Sequence, residues 1–294
     1  MSSPPTQSEP ATPPYHRLGL IGSAIQASKS PSLHESEAAA QGFRCTYELI
    51  DLDRRGVGVD ALPSLLADAE RQGFRGLNVT HPCKQAVIPL LDELSTDAEA
   101  VGAVNTILFQ DGCRKGYNTD AWGFAESFRR EMTGASIGTV TQIGAGGAGA
   151  ATAFALLGLG AREVRIIDVD EARASALAAS LSLRFPDRKV LSMKSLAAAL
   201  ADADGLVNAT PVGMDKHPGS VLPQKQLRPN LWVADIVYFP LDTALLQAAR
   251  AAGCRTLGGG GMAVYQAVRA FEIFTGRPAD ADRMRRHFDH IVAT

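Results

Sequence analysis

Gly144-Ala145-Gly146-Gly147-Ala148-Gly149 constrains the fold of this chain more than any other stretch. It follows an apolar run, TVTQIG (139–144), and opens an alanine-rich segment that reaches Leu159. A GxGxxG run between a strand and a helix is the setting in which a dinucleotide pyrophosphate is held. Gly144 permits the tight turn, Gly146 lets the backbone approach the pyrophosphate, and Gly149 lets the helix pack on the strand. Ala145, Gly147 and Ala148 complete the loop, and the free N–H groups at the helix start face the phosphates. No charged residue lies between Glu131 and Arg162. The glycines and the strand–turn–helix rhythm make this a buried α/β unit rather than a bilayer span.

The rhythm continues. REVRIID (162–168) is followed by a helix over 170–183, and KVLSM (189–193) by a helix over 194–202. GLVNAT (205–210) and LWVADIVY (231–238) read as strands, and Leu241 to Ala252 as a helix. This is the pattern of a Rossmann-type, doubly wound parallel sheet. Asp168 ends the second strand nineteen residues past Gly149. An acid there accepts the ribose hydroxyls of NAD and repels the 2′-phosphate of NADP. Arg173 is the nearby cation. The expected cofactor is NAD in preference to NADP.

The first third reads as a separate α/β layer. RLGLIG (17–22), RCTYELIDL (44–52) and GLNVTH (76–81) are strands. Ser30 is expected to cap a first helix, Asp60 a second and Ser95 a short one. AVNTILF (103–109) and RKGY (114–117), joined by Asp111-Gly112, form a hairpin. Thr119 is expected to cap a helix over 120–130 that bridges to the nucleotide unit. Two closing helices, about 262–275 and 280–292, follow Gly258–Gly261.

Lys+Arg 29 against Asp+Glu 31 leaves a net charge of −2, without the basic excess of a nucleic-acid binder. The four cysteines, Cys45, Cys83, Cys113 and Cys254, have neither disulfide-framework nor zinc spacing. No metal is expected; His287 and His290 read as surface residues of a terminal helix. Residues 1–16, rich in Pro, Ser and Thr, read as a disordered tail without a secretory h-region. The expected location is cytoplasmic, with no membrane partner.

Asn78, Thr80 and Lys84 cluster where a strand turns into a helix, the edge of an open α/β sheet at which ligands bind. AVNT (103–106) and GYNTD (116–120) add further polar groups. Together with the SKS triplet (28–30), GLNVTHPCK (76–84), GAVNT (102–106), GAGGAG (144–149), NATPVGM (208–214) and YQA (265–267), these segments resemble the shikimate and quinate dehydrogenase family. The resemblance covers nearly the whole ordered chain.

It implies a substrate-binding catalytic domain (17–120 plus 258–294) wrapped around an NAD-binding domain (121–257). Ser28 and Ser30 fall on the hydroxyls that hold a substrate carboxylate. Asn78, Thr80, Asn105 and Gln266 fall on groups that contact ring hydroxyls, and Tyr238 on a carboxylate-contacting tyrosine. Lys84 and Asp120 fall on the catalytic pair, while Thr210 and Gly261 join the cofactor-binding set. Ile167-Asp168-Val169-Asp170 replaces the basic motif of NADP-using members and resembles the NAD-using quinate/shikimate branch. Ser30 stands where some quinate-accepting members carry Thr, so shikimate and quinate both stay open as substrates.

The implied reaction is oxidation of a ring secondary hydroxyl, with hydride transfer to NAD and proton transfer to Lys84. Lysine suits a proton shuttle; arginine would not release its proton. The alternatives are an NADP-dependent biosynthetic shikimate dehydrogenase, a dehydrogenase of amino-substituted ring acids, and a non-catalytic nucleotide sensor. A sensor would have no need of the Lys84–Asp120 pair. The expected assembly is a monomer or homodimer.

Overall fold

The computed structural model describes residues 15–293. Its first sheet is built from β1 (Tyr15–Gly22), β2 (Arg44–Asp51), β3 (Phe74–Val79), β4 (Glu93–Leu94), β5 (Thr106–Gln110) and β6 (Cys113–Tyr117). The helices of this part are α1 (Ser30–Ala40), α2 (Leu52–Arg55), α3 (Leu62–Arg71), α4 (Cys83–Ala86), α5 (Thr96–Val101) and α6 (Thr119–Glu131). The strand order is β2-β1-β3-β5-β6-β4. β1 runs parallel to β2 and β3, whereas β5 is antiparallel to both β3 and β6. The expected β5–β6 hairpin turns at Asp111 and Gly112, with φ of 53° and 75°. Positive φ at both central residues matches the twist of a two-residue hairpin.

The second sheet contains β7 (Thr139–Ile143), β8 (Glu163–Ile167), β9 (Lys189–Ser192), β10 (Gly205–Asn208), β11 (Trp232–Asp235) and β12 (Thr256–Leu257). It carries α7 (Gly147–Leu159), α8 (Glu171–Arg184), α9 (Leu196–Leu200) and α10 (Ala244–Ala251). All its pairings are parallel, in the order β12-β11-β10-β7-β8-β9. This is the doubly wound arrangement expected, with its switch point between β7 and β10. The chain is therefore an α/β protein of two layered sheets.

α11 (Gly259–Thr275) and α12 (Ala281–Ala293) return to the first sheet. Ala270 and Phe274 of α11 pack with Leu18, Leu20, Tyr47 and Leu108. α12 is pinned to α1 where Arg283 pairs with buried Glu37 at 2.7 Å and His287 meets the Ser32 hydroxyl at 2.7 Å. His287, expected at the surface, is half-buried and partnered by Ser32. α11 also lies against α6, and the approach is close at two glycines. A Cβ on Gly123 would come within 2.7 Å of the Gln266 nitrogen, and one on Gly261 within 2.0 Å of Ser127 Oγ.

Several local expectations change. The expected tail lies outside the described residues up to position 14; Tyr15 and His16 belong to β1, where Tyr15 meets Thr46. Ser30 does not cap α1; it is the first helical residue, and its N–H donates to Ser28 Oγ at 3.3 Å. Asn118, not Thr119, caps α6 by accepting from the Ala121 N–H. Asp60 lies in a 3₁₀ turn ahead of α3 instead of capping it. Ser95 caps α5 as expected. Among the described residues no helix is long and apolar enough to cross a membrane, and no group of His, Cys, Asp and Glu could hold a metal ion. All four cysteines are free.

Candidate active site

Lys84 sits in the single turn of α4, just beyond the carboxyl end of β3. Its Nζ donates to Asp120 Oδ2 at 2.5 Å. Asp120 stands in the first turn of α6, where a carboxylate is favoured by the helix dipole. The lysine side chain is 19 % exposed and the aspartate 9 %, so the pair lines a cleft instead of sitting in bulk solvent. The backbone fixes it from both sides: the Lys84 carbonyl accepts from Val104 N–H, and Asn118 Nδ2 donates to the Ala103 carbonyl.

Beside this pair lies a buried polar floor. Asn105 Oδ1 accepts from the Thr119 N–H at 2.7 Å, and Asn105 Nδ2 donates to Thr119 Oγ1 at 2.9 Å. Asn78 Nδ2 donates to Thr106 Oγ1 at 3.0 Å and to the Asn105 carbonyl at 3.2 Å. Buried amides so fully bonded present fixed atoms to a ligand. Thr80 packs under the loop after β1, where its methyl would lie 2.4 Å from a Cβ on Gly22. That loop leads to Ser28 and Ser30 at the start of α1. Both serines remain partly exposed, as does Thr80. β1 and β3 adjoin, so these loops leave neighbouring strand ends.

Tyr238 follows β11. The residue is 42 % exposed. Desolvation there, and then the nearby Asp120 carboxylate, push its phenol above the usual range. Gln266 lies on α11 at the close crossing with α6, and its Nε2 donates to the Ala263 carbonyl.

The nucleotide half meets this cleft through the glycine turn. A Cβ on Gly147 would lie 3.6 Å from Lys84 Cδ. Gly144 has φ of 105°, and a Cβ on it would strike the Ala209 carbonyl at 2.5 Å; one on Gly149 would strike the Gly144 carbonyl at 2.3 Å. Gly146 has nothing within 4 Å of its Cβ position. The turn is thus closed at two glycines and open at the one expected to admit a pyrophosphate. Gln142, which sequence reasoning missed, stitches it from below: Nε2 donates to the carbonyls of Gly144 and Gly149, both at 2.8 Å.

Asp168, just past β8, accepts from the Ala145 N–H through Oδ2 and from the Asp170 N–H through Oδ1. Asp170, not Asp168, caps α8 by accepting from the Arg173 N–H. The Arg173 guanidinium lies 3.3 Å from Asp170, so its charge is already faced by a carboxylate. Thr210 packs on Gly144 and is held by Asn208, whose Oδ1 accepts from the threonine N–H and hydroxyl. Gly261 lies in α11, where it faces α6. Its missing side chain is explained by helix packing on Ser127, and any cofactor contact there must come from its backbone.

Comparison with known proteins gives matches over most of the chain. The shikimate dehydrogenase substrate binding domain matches residues 20–107, the shikimate 5′-dehydrogenase C-terminal domain residues 259–287, and the alanine dehydrogenase/PNT C-terminal domain residues 129–227. A shikimate dehydrogenase (NADP(+)) of Streptomyces avermitilis is 53% identical over 94% of this chain and 96% of its own. A quinate/shikimate dehydrogenase (NAD(+)) of Corynebacterium efficiens is 47% identical over 92% and 96%. The solved structure of quinate dehydrogenase from Corynebacterium glutamicum in complex with NAD superposes with a TM-score of 0.88 at 43% identity, covering 94% of this chain and 99% of that one.

Proposed function

The chain belongs to the shikimate and quinate dehydrogenase family, oxidoreductases that act on a CH–OH group with a nicotinamide cofactor, and we propose that it is an NAD-dependent quinate/shikimate dehydrogenase. It would interconvert shikimate with 3-dehydroshikimate, or quinate with 3-dehydroquinate. The observation that carries the catalytic reading is the Lys84–Asp120 contact beside the glycine turn.

In this reading residues 17–120 and 258–294 bind the substrate and 121–257 the cofactor. The open Gly146 position, the Gly144–Gly149 turn, Thr210 and Asp168 are suited to hold a dinucleotide. When bound, the nicotinamide ring supplies the acceptor for the hydride that leaves the carbinol carbon. Lys84 Nζ takes the hydroxyl proton, and Asp120 holds the resulting ammonium in place. In the reverse direction Lys84 returns that proton to the ketone oxygen. The two side chains act as one coupled acid–base unit. Ser28 and Ser30, with the start of α1, receive the carboxylate. Tyr238 adds a contact to it, and Asn78, Thr80, Asn105 and Gln266 read the ring hydroxyls.

The NAD preference rests on Asp168, with Asp170 facing Arg173. A 2′-phosphate at the end of β8 would meet two carboxylates and one arginine already engaged. The competing reading, an NADP-dependent shikimate dehydrogenase, draws on the Streptomyces relative. Initial rates with shikimate and with quinate, each with NAD and NADP, separate the two. A higher kcat/KM with NADP would overturn the cofactor assignment, and no turnover of either acid would overturn the activity.

A further inference from the structure

We infer that Tyr47 is a positioning residue for the hydroxyl-reading end of the site, its phenol fixing the orientation of the Asn78 carboxamide. The inference rests on Asn78 contacting substrate, as proposed above. Tyr47 lies on β2, an edge strand, and reaches over β1 to Asn78 on β3. Its hydroxyl donates to Asn78 Oδ1 at 2.7 Å. Both amide protons of Asn78 are spent on Thr106 and the Asn105 carbonyl. What remains is one lone pair on Oδ1, so Asn78 can only accept. It is therefore set to read a hydroxyl donor, the group in which a polyhydroxylated ring acid is rich.

The amide torsion is broad and nearly two-fold; two bonds hold the carboxamide nitrogen, and the Tyr47 hydroxyl is the anchor on its oxygen. Tyr47 is itself held on three sides. Its ring belongs to the cluster of Leu18, Leu20 and Phe274 and is almost fully buried. It stacks on His34 with centroids 4.9 Å apart. Its backbone N–H donates to Glu35 Oε1 at 2.8 Å. The ring serves the core and the polar tip serves the site, a division that tyrosine allows and phenylalanine does not.

The test is a cycle of Tyr47→Phe, Asn78→Ala and the double variant, measured in both substrates and with thermal unfolding. Tyr47→Phe should raise the apparent KM for the ring acid about tenfold, with kcat and the KM for the nucleotide within about twofold of wild type. In the Asn78→Ala background the same change should add nothing. Asn78→Ala without effect would sink the assignment of Asn78 to substrate. A damaging Asn78→Ala beside a silent Tyr47→Phe, or full additivity of the two, would sink the role of Tyr47 alone. A Tyr47→Phe loss that moves both KM values and the unfolding temperature together would mark a merely structural tyrosine.

Discussion

Asp168 Oδ2 accepts the Ala145 N–H at 2.7 Å, tying the end of β8 to the second residue of the glycine turn. One carboxylate therefore shapes the loop and, in the proposed reading, receives the adenosine ribose. Asp168→Ala should lower kcat/KM with NAD roughly tenfold or more, a loss of ~1.4 kcal/mol per decade. The NAD-to-NADP ratio should narrow, since the like charge is removed as well. Strong NADP use should not appear, because Arg173 is engaged by Asp170. The check is kcat/KM with both cofactors; an unchanged ratio would leave Asp168 a loop brace alone.

Lys84→Ala should lose about 10²–10⁴ in turnover, the usual contribution of a positioned acid–base group. Nucleotide binding should survive, because the Lys84 atoms beside Gly147 are those of its aliphatic stem. Asp120→Asn should also slow turnover by loosening the ammonium. Single-turnover rates, read with nucleotide affinity by fluorescence titration, test both. Turnover within a few-fold of wild type in Lys84→Ala would remove it from the chemistry.

Ser28→Ala should act mainly on the apparent KM for the ring acid, since a carboxylate contact is alike in ground and transition states. The same change removes the acceptor of the Ser30 N–H, so the start of α1 should gain some freedom. A loss confined to kcat would contradict a carboxylate site at these serines.

His34 is buried with neither ring nitrogen bonded among the described residues, and burial depresses its pKa from 6.5 to about 3. Below pH 6.5 the unfolded chain takes up a proton there that the folded chain refuses. Folded stability from this group is thus full above pH 6.5 and falls as pH drops toward 3. The penalty is about 2 kcal/mol at pH 5. His34→Leu should abolish it, so the variant should gain on wild type between pH 7 and pH 5 in denaturant titrations. A stability difference that does not change over that range would contradict the unprotonated, unpartnered histidine.

The alternation of strands and helices could be read directly because buried parallel strands are short apolar runs and helices carry turn and cap residues at their ends. β4 and β12 escaped notice. Each has two residues, and their strand character comes from neighbours far along the chain. The Ser30 and Thr119 expectations failed by one or two positions, because Ser28 and Asn118 carry equivalent oxygens and backbone geometry chose between them. In the site, Lys84, Asn105 and Asp120 could be found as polar groups at strand ends. Tyr47 and Gln142 could not. Each reads as an ordinary strand residue, and only packing aims the one at Asn78 and the other at the glycine turn. Gly261 shows the converse: a glycine in a motif whose bareness is demanded by Ser127.

One face of the first sheet is covered by helices that are synthesised last. Leu18, Leu20, Tyr47 and Leu108 face Ala270 and Phe274, and α1 is clasped by Arg283 and His287. On the ribosome, all six strands of that sheet emerge well before the cover of this face exists, although α3 already packs the other. The second sheet, by contrast, takes all its strands from residues 139–257 and has no such wait. Sequence separations above 200 residues between Leu18 and Phe274 make the first core the slow one to close, with its apolar face open to other chains meanwhile. Nascent chains released before α11 would carry a completed nucleotide layer beside an uncapped sheet. Loss of the last two helices would therefore be felt first as aggregation, ahead of any defect in catalysis.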